Sequence, residues 1–280
     1  TPTYFVSGAH GFNSAHGRMP AIATGANAAH RGLTYIGISG DGDSLSIGLG
    51  QMCHAIRRNL NMLYVIENNG VYGLTKGQFS ASADVGSKSK RGEANRQSPI
   101  DPVMLALGLG ASFVARSFSG DKAQLVPLLR AGLTHKGFAL IDVISPCVTF
   151  NDHDGSTKSY RHTRAHNIEV ARADFIPAAP EITAEYAEGS TVSVQMHDGS
   201  VVRFVKVAPD YDPTNRQAAQ AYLQQHQARG EVPTGLLFVD QGVPDMHELN
   251  DTTDVPLSQV PYEKLCPGRA VLDKLQEAFR

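Results

Sequence analysis

The sequence predicts an α/β fold: a doubly wound, mostly parallel sheet followed by a C-terminal α+β annex. Strand-length apolar runs alternate with helix-length segments from residue 18 to residue 144, the rhythm of strand–helix–strand crossovers. Two of those runs, 33–39 and 62–67, lack the polar alternation of a half-wet strand. Beyond residue 150 the alternation stops, and an Asp-Gly turn between two β-rich runs takes over.

Taken in order, residues 18–30 are Ala-rich and suit a helix. Residues 33–39 (LTYIGIS) read as a strand buried on both faces. Residues 44–58 suit a helix with Ser44 as N-cap and Arg57 and Arg58 near its C-terminal end. Residues 62–67 (MLYVIE) are a second buried strand; helix 101–109, strand 112–118, helix 121–135 and strand 138–144 follow. Residues 80–99 break the rhythm with a polar loop rich in Ser, Gly, Lys and Arg. A loop of that length is either functional or a solvated surface, and both readings stand. Residues 151–190 are irregular. Thr191–Met196 and Val201–Val207 then flank His197-Asp198-Gly199-Ser200 as a hairpin, before helix 214–229, strand 235–239 and helix 269–279. The expected organisation is one domain over 1–150 and an extension, 151–280, packed on it.

Composition narrows the function classes. The 280 residues are 41% apolar and 19% charged, with a formal net charge of −2. That balance argues against a sequence-independent nucleic-acid binder. Runs 33–39 and 138–144 are too short to cross a bilayer, and no secretory leader pattern is visible. Cys53, Cys147 and Cys266 are odd in number and far apart, so no disulfide framework is expected and a reducing, cytoplasmic setting is. Thr1-Pro2-Thr3-Tyr4-Phe5 reads like the middle of a domain, so further sequence is expected upstream.

The strongest motif is Gly40-Asp41-Gly42-Asp43-Ser44 with Asn68-Asn69, Asp41 and Asn69 lying 28 residues apart. Each half follows a predicted strand and one helix connects them, so the two strand ends converge on one crevice, where ligands of open α/β sheets bind. A carboxylate and an amide oxygen are hard donors suited to Mg²⁺, which keeps phosphate oxygens and water as its other ligands. Gly40 and Gly42 permit a tight turn, and the N–H groups of the helix that follows favour a phosphate.

This pairing resembles the thiamine diphosphate-binding motif, and the flanking segments extend the likeness. His16-Gly17-Arg18 with Ala23-Thr24-Gly25, Val71-Tyr72-Gly73-Leu74-Thr75-Lys76-Gly77-Gln78 and Ser145-Pro146-Cys147-Val148-Thr149-Phe150-Asn151 resemble the β subunit of the 2-oxoacid:ferredoxin oxidoreductases, the last segment in its 2-oxoglutarate form. The resemblance implies the thiamine diphosphate-binding fold for residues 1–150 and a 151–280 extension that also meets the partner subunit. It implies Mg²⁺ ligation by Asp41, Asn69 and the Val71 carbonyl. Gly40, Gly42, Asp43, Ser44, Asn68, Leu74 and Thr75 would lie against the cofactor. Cys147 would be the last ligand of a 4Fe–4S cluster, whose other cysteines the family carries upstream of where this text begins. The activity implied is CoA-dependent oxidative decarboxylation of 2-oxoglutarate, or the reverse reductive carboxylation of the reductive TCA cycle, with electrons passed to ferredoxin. The glutamate that activates the cofactor's aminopyrimidine comes from the family's α subunit, so an α partner, as (αβ)₂, is implied too.

Several roles stay open. Lys76 would pair with the distal carboxylate of 2-oxoglutarate, or is a surface lysine on a turn. His16 would hydrogen-bond substrate or cofactor, or is a structural histidine at a helix start. Lys88, Lys90, Arg91 and Arg96 would meet coenzyme A phosphates or an acidic ferredoxin, or form a solvated face. His153, His162 and His166 lack metal-ligand spacing. Pyruvate or another 2-oxoacid as substrate, a cluster-free thiamine diphosphate decarboxylase or synthase half, and a non-catalytic scaffold are the competing readings.

Overall fold

Seven strands build one mixed sheet in the computed structural model, which describes residues 8–73, 75, 77–87, 93–145, 181–196, 200–266 and 268–279. In chain order the strands are β1 (Ile36–Gly40), β2 (Met62–Asn68), β3 (Val71–Tyr72), β4 (Gln78–Phe79), β5 (Phe113–Phe118), β6 (Phe138–Ile144), β7 (Thr191–Gln195), β8 (Val201–Lys206) and β9 (Glu231–Val239). The sheet order is β1-β2-β6-β5-β9-β8-β7, and β3 with β4 forms a separate two-stranded ribbon. The helices are α1 (Met19–Ala29), α2 (Leu49–Arg57), α3 (Pro102–Leu109), α4 (Lys122–Thr134), α5 (Arg216–Gln227), α6 (Met246–Leu249), α7 (Tyr262–Leu265) and α8 (Arg269–Glu277), with a π-helical turn over Gly42–Ile47. No helix among the described residues is long and apolar enough to cross a membrane.

β1, β2, β6 and β5 are parallel, joined by crossovers that leave helices on both faces. One face carries Met62, Tyr64, Ile66, Phe138, Leu140 and Val114 against Met52, Ile56, Val103, Leu107 and Leu223 from α2, α3 and α5. The other presents Leu63, Val65, Ala115, Ala139, Ile141 and Val143 to Leu128 of α4. Strands clad on both sides need apolar residues at consecutive positions, which is why β2 and β6 lack a polar alternation. Local chemistry sets the helix ends. Asp101 Oδ1 accepts from the N–H groups of Val103 (2.9 Å) and Met104 (3.2 Å), Pro102 opens α3, and Gly110 closes it at φ 90°.

The structure corrects three expectations. The run 33–39 is not a strand clad on both faces: β1 starts at Ile36 and ends the sheet, and Leu33 and Ile36 are each 51% exposed. An apolar run alone does not distinguish a central strand from an edge. Second, Ser44 is not an N-cap. Helical geometry begins at Asp41–Gly42, and Ser44 lies inside the π-turn with its hydroxyl accepting from Tyr64 (3.0 Å). Third, β9 starts at Glu231 rather than 235 and accommodates Pro233. Residues 231–234 pair only with β8, and pairing with β5 begins at Gly235, so the proline sits where its missing N–H is not needed on both sides.

The annex continues the main sheet. β9 lies antiparallel to β5 and parallel to β8, and the β7–β8 hairpin forms the outer edge; residues 197–199 of its turn lie outside the described residues.

At the amino end of the sheet, buried Asn59 joins several elements. It adopts φ 47°, its Oδ1 accepts from Phe138 N (2.8 Å) and Ser112 Oγ (2.8 Å), and its Nδ2 donates to the Pro244 carbonyl (3.0 Å). Asn59→Ala leaves these groups unsatisfied and replaces, at φ 47°, a residue that tolerates the left-handed region with one that does so less readily. Chemical denaturation should show a loss of about 2–4 kcal/mol.

Candidate functional site

The parallel register pairs Gly40 with Glu67, so the chain leaves β1 as Asp41 beside the end of β2 at Asn68. Asp41 is 1% exposed. A carboxylate at that depth requires donors, and the structure supplies them from the segment after β2. Asp41 Oδ2 accepts from Gly70 N (3.0 Å), Ser82 Oγ (2.6 Å) and Ser80 Oγ, while Oδ1 faces Asn69 N at 3.4 Å. Asn69 itself is exposed, and its Oδ1 accepts from Val71 N (3.0 Å), an Asx turn that starts the β3–β4 ribbon.

Glycine is needed at Gly42 because the Tyr72 ring covers it. A Cβ there would lie 2.5 Å from Tyr72 Cε1, and the Tyr72 hydroxyl donates to the Gly42 carbonyl (2.9 Å). At Gly40, by contrast, a Cβ would meet nothing within 4 Å, so the strand end opens on free space. Asp43 points the other way: its oxygens accept from Gly17 N and Ser39 Oγ. Any contact of Asp43 with a ligand beyond the helix start therefore falls to its backbone. Burial pushes the Tyr64 phenol up to about 12, so it remains the proton donor to Ser44.

Sequence reasoning expected Asp41, Asn69, Val71, Gly40, Gly42, Asp43, Ser44 and Asn68 to gather, and all belong to this one cluster of strand ends and turns. Thr75 is exposed and donates to Gln78 Oε1 (2.6 Å) across the ribbon turn. His16 is exposed, one residue before the Gly17 that binds Asp43. Leu74, Lys76 and Cys147 lie outside the described residues, as do Lys88, Lys90, Arg91, His153, His162 and His166.

Sequence reasoning missed two features. Ser80 and Ser82, assigned only to a long polar loop, are donors to Asp41; their spacing of two, on an extended segment after the motif, was the available sign. The loop is also held internally by buried Asn95, whose Nδ2 donates to the carbonyls of Ala83 (2.8 Å) and Gln97 (3.0 Å). The second feature is a charged row beneath the crevice. Arg116 and Asp142 are register partners on β5 and β6, and Arg116 Nε donates to Asp142 Oδ2 (2.7 Å). Arg116 Nη2 also reaches Asp101 Oδ1, and Asn68 Nδ2 donates to Asp142 Oδ1 (3.0 Å). Burial opposes the Arg116 charge, but the two carboxylates outweigh it and raise its pKa; burial pushes the Asp142 carboxyl above the ordinary range. One charge inside each of two apolar strand runs, 113–118 and 138–144, was legible and went unused.

Residues 1–143 match the family described as thiamine pyrophosphate enzyme, C-terminal TPP binding domain. The chain is 34% identical over 229 residues to a 2-oxoacid:ferredoxin oxidoreductase subunit beta of Sulfolobus sp, an alignment covering 79% of this chain and 74% of that one. The chain belongs to this β-subunit family. Within it, the 2-oxoglutarate oxidoreductase subunit KorB of Mycobacterium tuberculosis is 45% identical over 144 residues, 51% of this chain but only 39% of that relative's length. A solved 2-oxoglutarate:ferredoxin oxidoreductase from Magnetococcus marinus, with 2-oxoglutarate, coenzyme A and succinyl-CoA bound, superposes with a TM-score of 0.62 at 28% identity. That match covers 84% of this chain and 66% of the solved one. The fold read from the sequence is thus that of the thiamine diphosphate-binding family, and the chain carries a thiamine diphosphate-binding domain.

Gly17 and Gly48 fix how the His16 loop seats on the motif helix. At φ 77°, a Cβ on Gly17 would lie 2.9 Å from Gly48 N and 2.8 Å from Ile47 Cγ2. Gly17→Ala should lower stability by about 2 kcal/mol or more in thermal denaturation. Gly25→Ala, which meets nothing within 4 Å inside α1, should instead raise it by about 0.5–1 kcal/mol.

Proposed function

We propose that this chain is the catalytic β subunit of a 2-oxoacid:ferredoxin oxidoreductase acting on 2-oxoglutarate, by CoA-dependent oxidative decarboxylation or its reverse. The observation that carries the reading is the meeting of Asp41 and Asn69 at the carboxyl ends of β1 and β2, beside the open side of Gly40. The donor set fits Mg²⁺ and a diphosphate. A buried carboxylate, an exposed amide oxygen and the Val71 carbonyl are hard oxygen ligands. When bound, thiamine diphosphate supplies a nucleophilic carbon and the electron sink for loss of CO₂.

The chain's own part is binding and orientation. Asp41, Asn69 and Val71 would hold the cation. The backbone N–H groups of Gly42, Asp43 and Ser44, at the start of the helical run, would face the phosphates. Tyr72 holds the Gly42 carbonyl through its hydroxyl, and Thr75, on the ribbon turn, would sit against the diphosphate. His16 and Lys76 are the groups proposed to meet substrate, Lys76 through the distal carboxylate. Leu74 would contact the cofactor, and Cys147 would be one ligand of a 4Fe–4S cluster passing electrons to ferredoxin. The β-subunit names of the relatives support an α partner, proposed as (αβ)₂; the division of 1–150 from 151–280 as cofactor domain and extension is part of the same proposal. A cytoplasmic location, expected from the scattered cysteines, belongs to the same proposal.

Substrate choice rests on the relatives: several are named for 2-oxoglutarate, and the solved neighbour's title names 2-oxoglutarate and succinyl-CoA. Other relatives are named only for 2-oxoacids, which keeps pyruvate as the second reading. In the assembled enzyme, CoA-dependent viologen reduction should be faster with 2-oxoglutarate than with pyruvate; equal or lower rates would reject the substrate assignment. Asp41→Ala should abolish Mg²⁺-dependent thiamine diphosphate binding in calorimetry, and retained tight binding would reject the site.

A further inference from the structure

The charged row under the crevice bears on the metal site. On one face of the sheet, Met62, Tyr64 and Ile66 of β2, Phe138 and Leu140 of β6 and Val114 of β5 form a continuous apolar surface. The next residue on that face in each strand is polar: Asn68, Asp142 and Arg116. All three changes come toward the carboxyl ends of β2, β6 and β5, the three strands that follow β1 across the sheet. Stability alone does not explain the row, because buried ion pairs are often replaceable by apolar residues without loss.

Its hydrogen bonds lead to Asp41. Arg116, fixed by Asp101, donates to Asp142 Oδ2, and the other Asp142 oxygen accepts from Asn68 Nδ2 (3.0 Å). Held by the Arg116 guanidinium, which only donates, the Asp142 carboxylate accepts, so the Asn68 NH₂ faces Asp142 and its carbonyl oxygen faces Ser82 Oγ (2.9 Å). Ser82 has one proton for which Asn68 Oδ1 and Asp41 Oδ2 (2.6 Å) compete, with Ser80 Oγ, itself a donor to Asp41, 3.0 Å away. The Asn68 oxygen therefore competes with Asp41 for that proton and leaves Asp41 less completely hydrogen-bonded.

We propose that Asp142, braced by Arg116, is a positioning residue that sets the orientation of the Asn68 amide and thereby keeps the Asp41 carboxylate available to a divalent cation. The inference rests on the proposed Mg²⁺–diphosphate site. In Asp142→Asn, the new side chain must keep its oxygen on the donor-only Arg116 and turn its NH₂ to Asn68. The Asn68 amide then flips, donates to Ser82 Oγ and commits the Ser82 proton to Asp41, which becomes a poorer ligand.

The test is calorimetric titration of Mg²⁺ into the assembled protein, stripped by chelation and held in saturating thiamine diphosphate. Asp142→Asn should raise the half-saturating Mg²⁺ concentration by about tenfold or more, as changes behind a metal ligand do. In the Ser82→Ala background, which removes the contested proton, the same substitution should shift it by less than about twofold. Such non-additivity is the mark of a network and is not expected of a residue that only supports the fold. Equal shifts in both backgrounds, or none in either, would overturn the proposal. If Asp142→Asn does not fold, Asn68→Ala takes its place with the same expectations, because removing the competing oxygen also releases the Ser82 proton to Asp41. Wild-type protein that binds thiamine diphosphate normally while the variants behave additively defeats this inference alone. Wild-type protein with no Mg²⁺-dependent binding defeats the proposed function and this inference together.

Discussion

The structure turns on one buried carboxylate. Asp41 sits where β1 ends, almost inaccessible to water, where its oxygens require donors. Those donors come from the chain after β2: the Gly70 N–H and the hydroxyls of Ser80 and Ser82. Satisfying one side chain thus fixes the path of a whole segment. It brings the Asn69 turn and the β3–β4 ribbon against the motif helix and lays Tyr72 over Gly42. The crevice has its shape because these requirements are met together.

The rest of the fold holds the two strand ends level. Parallel pairing of β1 with β2 and β2 with β6 sets their heights, and helices on both faces exclude water from the backbone between them. At the opposite end of the sheet Asn59 ties β5 and β6 to the segment before α6. The charged row of Arg116, Asp142 and Asn68 lies between this rigid body and the open crevice, where an apolar interior has to change into a polar site.

Much of this was legible in the sequence because each signal was local. Strand and helix alternation gave the elements, and the 28-residue separation of Asp41 and Asn69 spans a single crossover, so convergence at one sheet edge followed from topology. What escaped depended on long-range placement. An apolar run does not reveal that β1 is an edge strand. Ser80 and Ser82 look like loop residues until Asp41 is known to be buried beside them. Pro233 concealed the start of β9 because only the pairing pattern shows that one of its sides is unneeded there. Ser44 looked like a cap because the π-turn begins three residues earlier than a regular helix would from that serine.

The place of β9 in the sheet has a consequence for biosynthesis. Its partner β5 precedes it by more than a third of the chain, yet β9 is the only strand among the described residues that covers that side of β5. While the polypeptide emerges from the ribosome, the parallel half can assemble early, but one border of β5 keeps its N–H and C=O groups unmatched until Glu231–Val239 arrives. The Val-rich hairpin of β7 and β8 must wait as well, since among the described residues its strand pairing to the sheet runs through β9. Translation pausing or a chain broken before residue 231 would therefore expose a sticky border, a point of vulnerability set by strand order rather than by any single residue.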